Sequence, residues 1–169
     1  MKQDEFINLF KNRFREHFGT DPTWLQGQVQ ENRAGFTDPR GERRRGKVFP
    51  TETFELGDLR ADFNHYTIVL EYDYDAVGLE NLLKHWAYAR GELEEKPKNP
   101  IILCHFSNWH SNACRRDLWE WIVSMIHKDD RLMVNFEAKQ FDHGGEDTSL
   151  RNDEIKKALG WIERCIAET

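Results

Sequence analysis

The sequence predicts an α/β domain in which a mixed β-sheet, built on an antiparallel hairpin, is flanked by helices. Three observations predict it. Segments with apolar residues at helical spacing alternate with short β-branched and aromatic runs. Two of those runs are joined by Asn64-His65, and asparagine tolerates the positive φ that a two-residue hairpin turn requires. The later runs are separated by whole helices, the spacing expected of a sheet with helices on its faces.

The elements follow in order. Phe6, Ile7, Phe10, Phe14 and Phe18 recur at helical spacing, and Gly19 stands where a helix end favours a left-handed residue. The polar stretch from Gln26 to Pro50 carries scattered Gly and Pro; a short strand is expected at Gln28 to Glu31, then an exposed basic loop. An extended segment from Thr51 to Leu56 leads into the hairpin, which runs through Leu59, Ala61 and Phe63, turns, and returns along Thr67 to Asp73. Leu79, Leu82, Leu83 and Trp86 mark a helix ending at Gly91, and Ile101 to Phe106 reads as a buried strand. Ser111 or Asn112 is placed to cap a third helix with Cys114, Leu118, Trp121, Ile122 and Met125 on one side. A strand from Leu132 to Phe136, reaching toward Phe141, a loop from Asp142 to Ser149, and a helix carrying Ile155, Leu159, Ile162 and Ile166 complete the chain.

At 169 residues, the chain is expected to form one domain, residues 1–169, with a continuous core. Its apolar runs are too short to span a bilayer, and its start does not read as a secretory signal, so a cytoplasmic protein is expected. Three widely spaced cysteines predict free thiols. The net charge of -6 opposes a polyanion at long range, so any nucleic-acid contact falls to a local patch, for which Arg40, Arg43, Arg44, Arg45 and Lys47 are the candidates. A solvated loop is the plainer account of the same residues.

The hairpin carries the chemistry. With Asn64-His65 as the turn, Phe63 faces Tyr66, Arg60 faces Val69 and Asp58 faces Glu71. Alternation puts Asp58, Arg60 and Asp62 on one face with Thr67, Val69, Glu71 and Asp73, and leaves Leu59, Ala61, Phe63, Ile68, Leu70 and Tyr72 for the core. Like charges facing each other require a compensating cation, a raised pKa or open solvent. A hard divalent ion, Mg²⁺ or Mn²⁺, suits such a carboxylate pair and activates water for phosphodiester hydrolysis. The plainer alternative is a solvated sheet face with Arg60 paired to a carboxylate.

Over residues 4 to 106 this arrangement resembles the PD-(D/E)XK nuclease superfamily, with its restriction-endonuclease-like core of helix, three-stranded meander, helix and strand. Gly57-Asp58 stands in for the family's Pro-Asp and Glu71-Tyr72-Asp73 for its Glu-x-Lys. The resemblance implies a divalent-metal-dependent nuclease acting on DNA or RNA, with Asp58, Glu71 and Asp73 as metal ligands and catalytic residues. The family lysine is replaced by Asp73, so the cation falls to Lys84 on the following helix or to Arg60; Glu16 on the first helix is a further candidate acid. The alternative is a catalytically inactive nuclease-like fold that binds protein or nucleic acid.

Two other constellations compete. Glu137-Ala138-Lys139 is an intact Glu-x-Lys, but no hairpin precedes it, and an exposed alternating strand explains it; Lys139 reaches the hairpin only if the two strands are neighbours. Cys104, His105, His110 and Cys114 are zinc-type ligands, yet Cys104 and His105 point to opposite faces of their strand. Trp86, Trp109, Trp119 and Trp121 offer rings for stacking bases, but their helical spacing points to a core or an interface; Trp119 and Trp121 cannot both face inward, so one of them is a candidate partner surface. The sequence has no Gly-rich phosphate loop or nucleophile elbow.

Overall fold

The computed structural model describes residues 2–27, 29–36, 52–110 and 113–168. The basic residues Arg40, Arg43, Arg44, Arg45 and Lys47 lie outside them, as do Ser111 and Asn112.

The phenylalanine stripe produces helix α1 (Gln3–Phe18), which ends at Gly19 with φ 69° and the glycine N–H bonded to Arg15 O at 2.9 Å. Phe6, Ile7, Phe10 and Phe14 are fully buried, each stabilising the fold by about 2 kcal/mol. Strand β1 (Leu25–Gln26) comes next, followed by a single 3-10 turn (Gln30–Asn32), strand β2 (Arg33–Phe36) and strand β3 (Glu52–Glu55). The strand expected at Gln28 to Glu31 is thus replaced from Gln30 by that turn. Its polar residues offer no alternating apolar face, and Asn32 instead turns inward to bond Gly27 O and Gly57 O at 3.0 and 2.8 Å.

Instead of running on into the hairpin, β3 pairs with β2 in a two-stranded sheet of its own. The break is at Gly57, whose φ of 107° is left-handed, and a Cβ there would lie 2.6 Å from Val69 Cγ1. Gly57→Ala is therefore expected to cost about 2–4 kcal/mol, from backbone strain plus overpacking, in urea unfolding. A loss below about 1 kcal/mol would contradict the close approach to Val69.

Strands β4 (Leu59–Phe63) and β5 (Tyr66–Tyr72) form the expected hairpin. Asn64 and His65 have φ of 47° and 65°, both positive as a type I′ turn demands, and Leu59 faces Leu70 while Phe63 faces Tyr66. Helix α2 (Leu79–Ala89) then crosses to β6 (Ile101–Ser107), parallel to β5, and helix α3 (Ala113–Ile126) crosses to β7 (Phe136–Asp142), parallel to β6. Helix α4 (Thr148–Ala167) closes the described chain, capped by Asp147, whose carboxylate accepts the Ser149 and Leu150 N–H groups at 2.9 and 3.0 Å. The main sheet has the order β1-β4-β5-β6-β7. The fold is α/β, a five-stranded mixed sheet between helices.

Both faces of this sheet are core. Phe6, Phe10 and Phe14 of α1 and Ile155 and Leu159 of α4 pack with Leu59, Ile68, Leu70 and Tyr72, while Leu82 of α2 and Trp119 and Val123 of α3 pack with Val69, Leu103 and Phe136. The solvated hairpin face of the plainer alternative survives only on β4, at Arg60 and Asp62; over β5 the parallel crossovers that follow lay helices across it. On α3 the stripe expected to face inward is largely outside. Leu118, Trp121 and Met125 are exposed, and Trp119, Val123 and Ile126 are buried in their place, Trp119 packing its indole 5.9 Å from the ring of His105. The last strand starts at Phe136 and not Leu132, and the expected Asp142 to Ser149 loop is shorter, since β7 reaches Asp142 and α4 begins at Thr148. Among the described residues, neither Cys104 nor Cys165 forms a disulfide. No helix among the described residues is long and apolar enough to cross a membrane.

Candidate functional site

Asp58 sits where the chain enters β4. Asn32 holds the preceding carbonyl, that of Gly57, at 2.8 Å, and the Asp58 carboxylate oxygen Oδ2 accepts the Tyr72 N–H at 2.7 Å. That bond ties the start of β4 to the end of β5 and brings Asp58 beside Glu71. At Gly57, just before Asp58, φ is 107°, a value that a proline ring forbids.

Glu71, on β5, is only 2% exposed. Its Oε1 receives two groups from α2: Lys84 Nζ at 2.8 Å and His85 Nε2 at 2.7 Å. Burial alone would raise its pKa, but the His85 bond and the Lys84 ammonium outweigh burial and hold it below the usual carboxylate value. His85 is itself fully buried, and that burial lowers its pKa against the pull of Glu71, so its ring is neutral at pH 7.

Asp73 lies just past the end of β5. Its Oδ2 accepts from the Gly78 N–H at 2.6 Å and pairs with His105 Nε2 at 2.5 Å, while Asn81 Nδ2 approaches Oδ1 at 3.5 Å. Burial would raise its pKa too, and the His105 contact, reinforced by Gly78 and Asn81, brings it below the ordinary value. His105 is positioned by register, since β6 places it directly beside Glu71.

Asp58 differs from both. Burial, and then the charge of Glu71, push its pKa from 3.8 up to about 7, against the smaller opposing effects of the Tyr72 N–H and Lys84. The structure thus brings Asp58, Glu71, Asp73 and Lys84 into one partly buried polar cluster and adds the fully buried His85 and His105. Three carboxylates meet one lysine, with His85 neutral. The like-charge problem read from the sequence is resolved partly by a cation and partly by a raised pKa.

The remaining candidates are elsewhere. Glu16 is exposed on α1, paired with Arg13 at 2.7 Å, on the opposite side of the sheet from Glu71. Arg60 donates to Glu31 O and lines a cleft of about 610 Å³ with Asp62, Tyr88 and Glu95, so it is not the cation of the carboxylate pair. Lys139 is separated from the hairpin by β6, because β7 is the sheet's far edge. Cys104 faces the α1 and α4 side while His105 meets Asp73, as their alternation requires. No three His, Cys, Asp or Glu side chains converge as a ready metal cage among the described residues.

His85 and Asn32 were not legible as site residues. The only signal for His85 was its place three residues after Leu82 on the inward face of α2, where a core histidine reads the same way. No family model matches the chain, and neither a curated protein nor a solved structure is significantly similar to it.

Proposed function

We propose that the protein is a divalent-metal-dependent nuclease hydrolysing phosphodiester bonds, with its centre at Asp58, Glu71 and Lys84. The observation that carries this reading is the half-buried Asp58 carboxylate set beside Lys84 and the buried Glu71, an environment that pushes its pKa up to about 7. Burying two adjacent acids is unfavourable for folding, and a cation site accounts for it. The order of helix, hairpin, crossover helix and parallel strand supports the resemblance to the nuclease core, with β1 as the third meander strand.

The donor set fits a hard ion. Asp58 Oδ1 and Glu71 Oε2 make no hydrogen bond among the described residues, and Mg²⁺ takes one or two carboxylates together with water and phosphate oxygens. Bound there, Mg²⁺ or Mn²⁺ would activate water and offset the charge that builds on the phosphate. Lys84 supplies the ammonium that the family places two residues after the glutamate, donating to an attacking water and to the phosphate oxygens. His85 fixes the Glu71 carboxylate. Asp73, with Oδ2 committed to His105 and Gly78, anchors the N-terminus of α2 and thereby Lys84.

Cleavage of labelled DNA and RNA in Mg²⁺ or Mn²⁺ tests the reading. Lys84→Met should slow cleavage by about 100-fold or more, and Mn²⁺ affinity should rise roughly tenfold per pH unit below about 7 and level off above it, as Asp58 loses its proton. A protein that at pH 8 binds no Mn²⁺ by paramagnetic resonance and cuts neither polymer is not a nuclease. One observation favours the inactive binding module as second reading: Glu71 Oε1 already holds both Lys84 and His85.

A further inference from the structure

Beyond Asp73 the chain builds an arrangement that the cleavage chemistry does not use. Tyr74, the next residue, is 67% exposed. Its ring stacks on that of His143, with centroids 6.2 Å apart and planes 22° apart, and His143 in turn lies 5.2 Å from the ring of Tyr72. His143 is 3% exposed and held at both ring nitrogens. The Gly145 N–H donates to Nδ1 at 2.9 Å, which leaves the ring proton on Nε2, and Nε2 donates to the Tyr74 carbonyl at 2.8 Å. An isolated exposed tyrosine needs no explanation. Here the supporting imidazole is immobilised from both sides and bonded to the backbone of the ring it supports, so Tyr74 presents a fixed aromatic surface outward.

A cationic cleft begins two residues before His143. It measures about 600 Å³ and is lined by Phe141, Lys139, Lys156, Lys157, Arg164 and Trp109. Its acids are Asp153 and Glu154, and the Glu154 carboxylate is already engaged by Lys157 at 2.5 Å and by the Asp142 N–H at 3.3 Å. Such a cleft stands out on a chain of net charge -6. The loop carrying Trp109 is bonded to the loop after Asp73 through Asn108 N–H and Asp75 O at 2.8 Å. Stacking surface and carboxylate cluster therefore flank the carboxyl end of β5 from its two faces, and the basic cleft leads from that end back along the edge strand β7 and α4.

We propose that Tyr74 is a stacking platform for a base of single-stranded nucleic acid whose phosphates run into the cleft of Lys139, Lys157 and Arg164. An aromatic face beside a basic groove is how single strands are held without sequence preference, and a duplex keeps its base faces stacked inside. This names the substrate class of the nuclease reading and rests on it for the strand's path past Asp58 and Glu71.

Fluorescence anisotropy of a labelled, unstructured DNA oligonucleotide and its RNA counterpart tests the proposal, on the full chain with EDTA present so that nothing is cut. The wild type is expected to bind single strands more tightly than duplex. Tyr74→Ala should weaken single-strand binding about tenfold, leave duplex binding unchanged and leave urea unfolding at the wild-type midpoint, whereas Tyr74→Phe retains the affinity. Arg164→Glu should weaken binding and flatten its salt dependence. Absence of single-strand binding by the wild type, or equal affinity of Tyr74→Ala and wild type, overturns the proposal. Because binding in EDTA needs no catalysis, a protein that binds through Tyr74 yet never cleaves sinks the nuclease reading alone.

Discussion

Glu71→Ala is expected to lower the unfolding free energy by about 3–5 kcal/mol, the cost of leaving buried charge without its partner. Glu71 is buried, and the substitution strands Lys84, whose side chain is 17% exposed, and His85, which is wholly enclosed. Glu71→Gln keeps the shape and an acceptor oxygen for both donors, so its cost should be nearer 1–3 kcal/mol, the range for a weakened buried hydrogen bond. The loss depends on pH with a definite sign. The folded-state pKa of Glu71 lies below the ordinary 4.5, so its contribution is fully present above that value and disappears as the pH falls through the lower folded-state value. The penalty of Glu71→Ala should therefore be undiminished from pH 8 to pH 6 and shrink in acid. Urea unfolding measures it, and a loss under 1 kcal/mol at pH 7 would show that Glu71 does not hold its two partners.

Asp58→Asn is expected to do the opposite and stabilise the protein. The folded state holds the Asp58 proton up to about pH 7 and the unfolded chain releases it near 3.8. Native Asp58 therefore favours the fold below 3.8, and that advantage is lost steadily as the pH rises to about 7. A shift of about three units corresponds to roughly 4 kcal/mol, and asparagine keeps an oxygen to accept the Tyr72 N–H, so a gain of about 2–4 kcal/mol is expected at pH 8. The gain should shrink at pH 5 and vanish toward pH 4. Parallel urea curves at pH 8 and pH 5 decide the matter: destabilisation by Asp58→Asn at both would mean that Asp58 is not an ionised, poorly compensated acid. A stability gain joined to loss of Mn²⁺ binding is the signature of a group retained for function at the expense of the fold.

Much of this architecture was legible because it is locally encoded. Asn64-His65 fixes the hairpin turn, the turn fixes the register, and the register places Asp58 beside Glu71. Lys84 was legible as a cation near Glu71 because the next helix had to cross the hairpin face. The residues that were missed depend on what the rest of the chain covers. Alternation distinguishes two faces of β5 but not whether a helix lies over each, and here both are covered, so Val69 and Glu71 are as deeply buried as Ile68 and Leu70. On α3 two apolar stripes were available, and the one carrying Trp119 faces inward, where it meets His105. The separate pairing of β2 and β3 depends on Gly57, whose left-handed backbone makes a break that propensity at Thr51 to Leu56 does not reveal.

The edge position of β7 carries one last consequence. Its burial alternates from Phe136, so Glu137 and Lys139 stand exposed on either side of Ala138. An outer strand has unpaired backbone groups on one side, and charged side chains along it discourage another chain from docking there. Two opposite charges spaced by one inward residue are a natural way to provide that protection, and they also spell Glu-x-Lys. A three-letter signature of this kind reports the border of a sheet as readily as a reaction centre. What separates Glu71 from Glu137 is the neighbouring strand: Glu71 lies inside the sheet with an acid across the hairpin from it, and Glu137 does not.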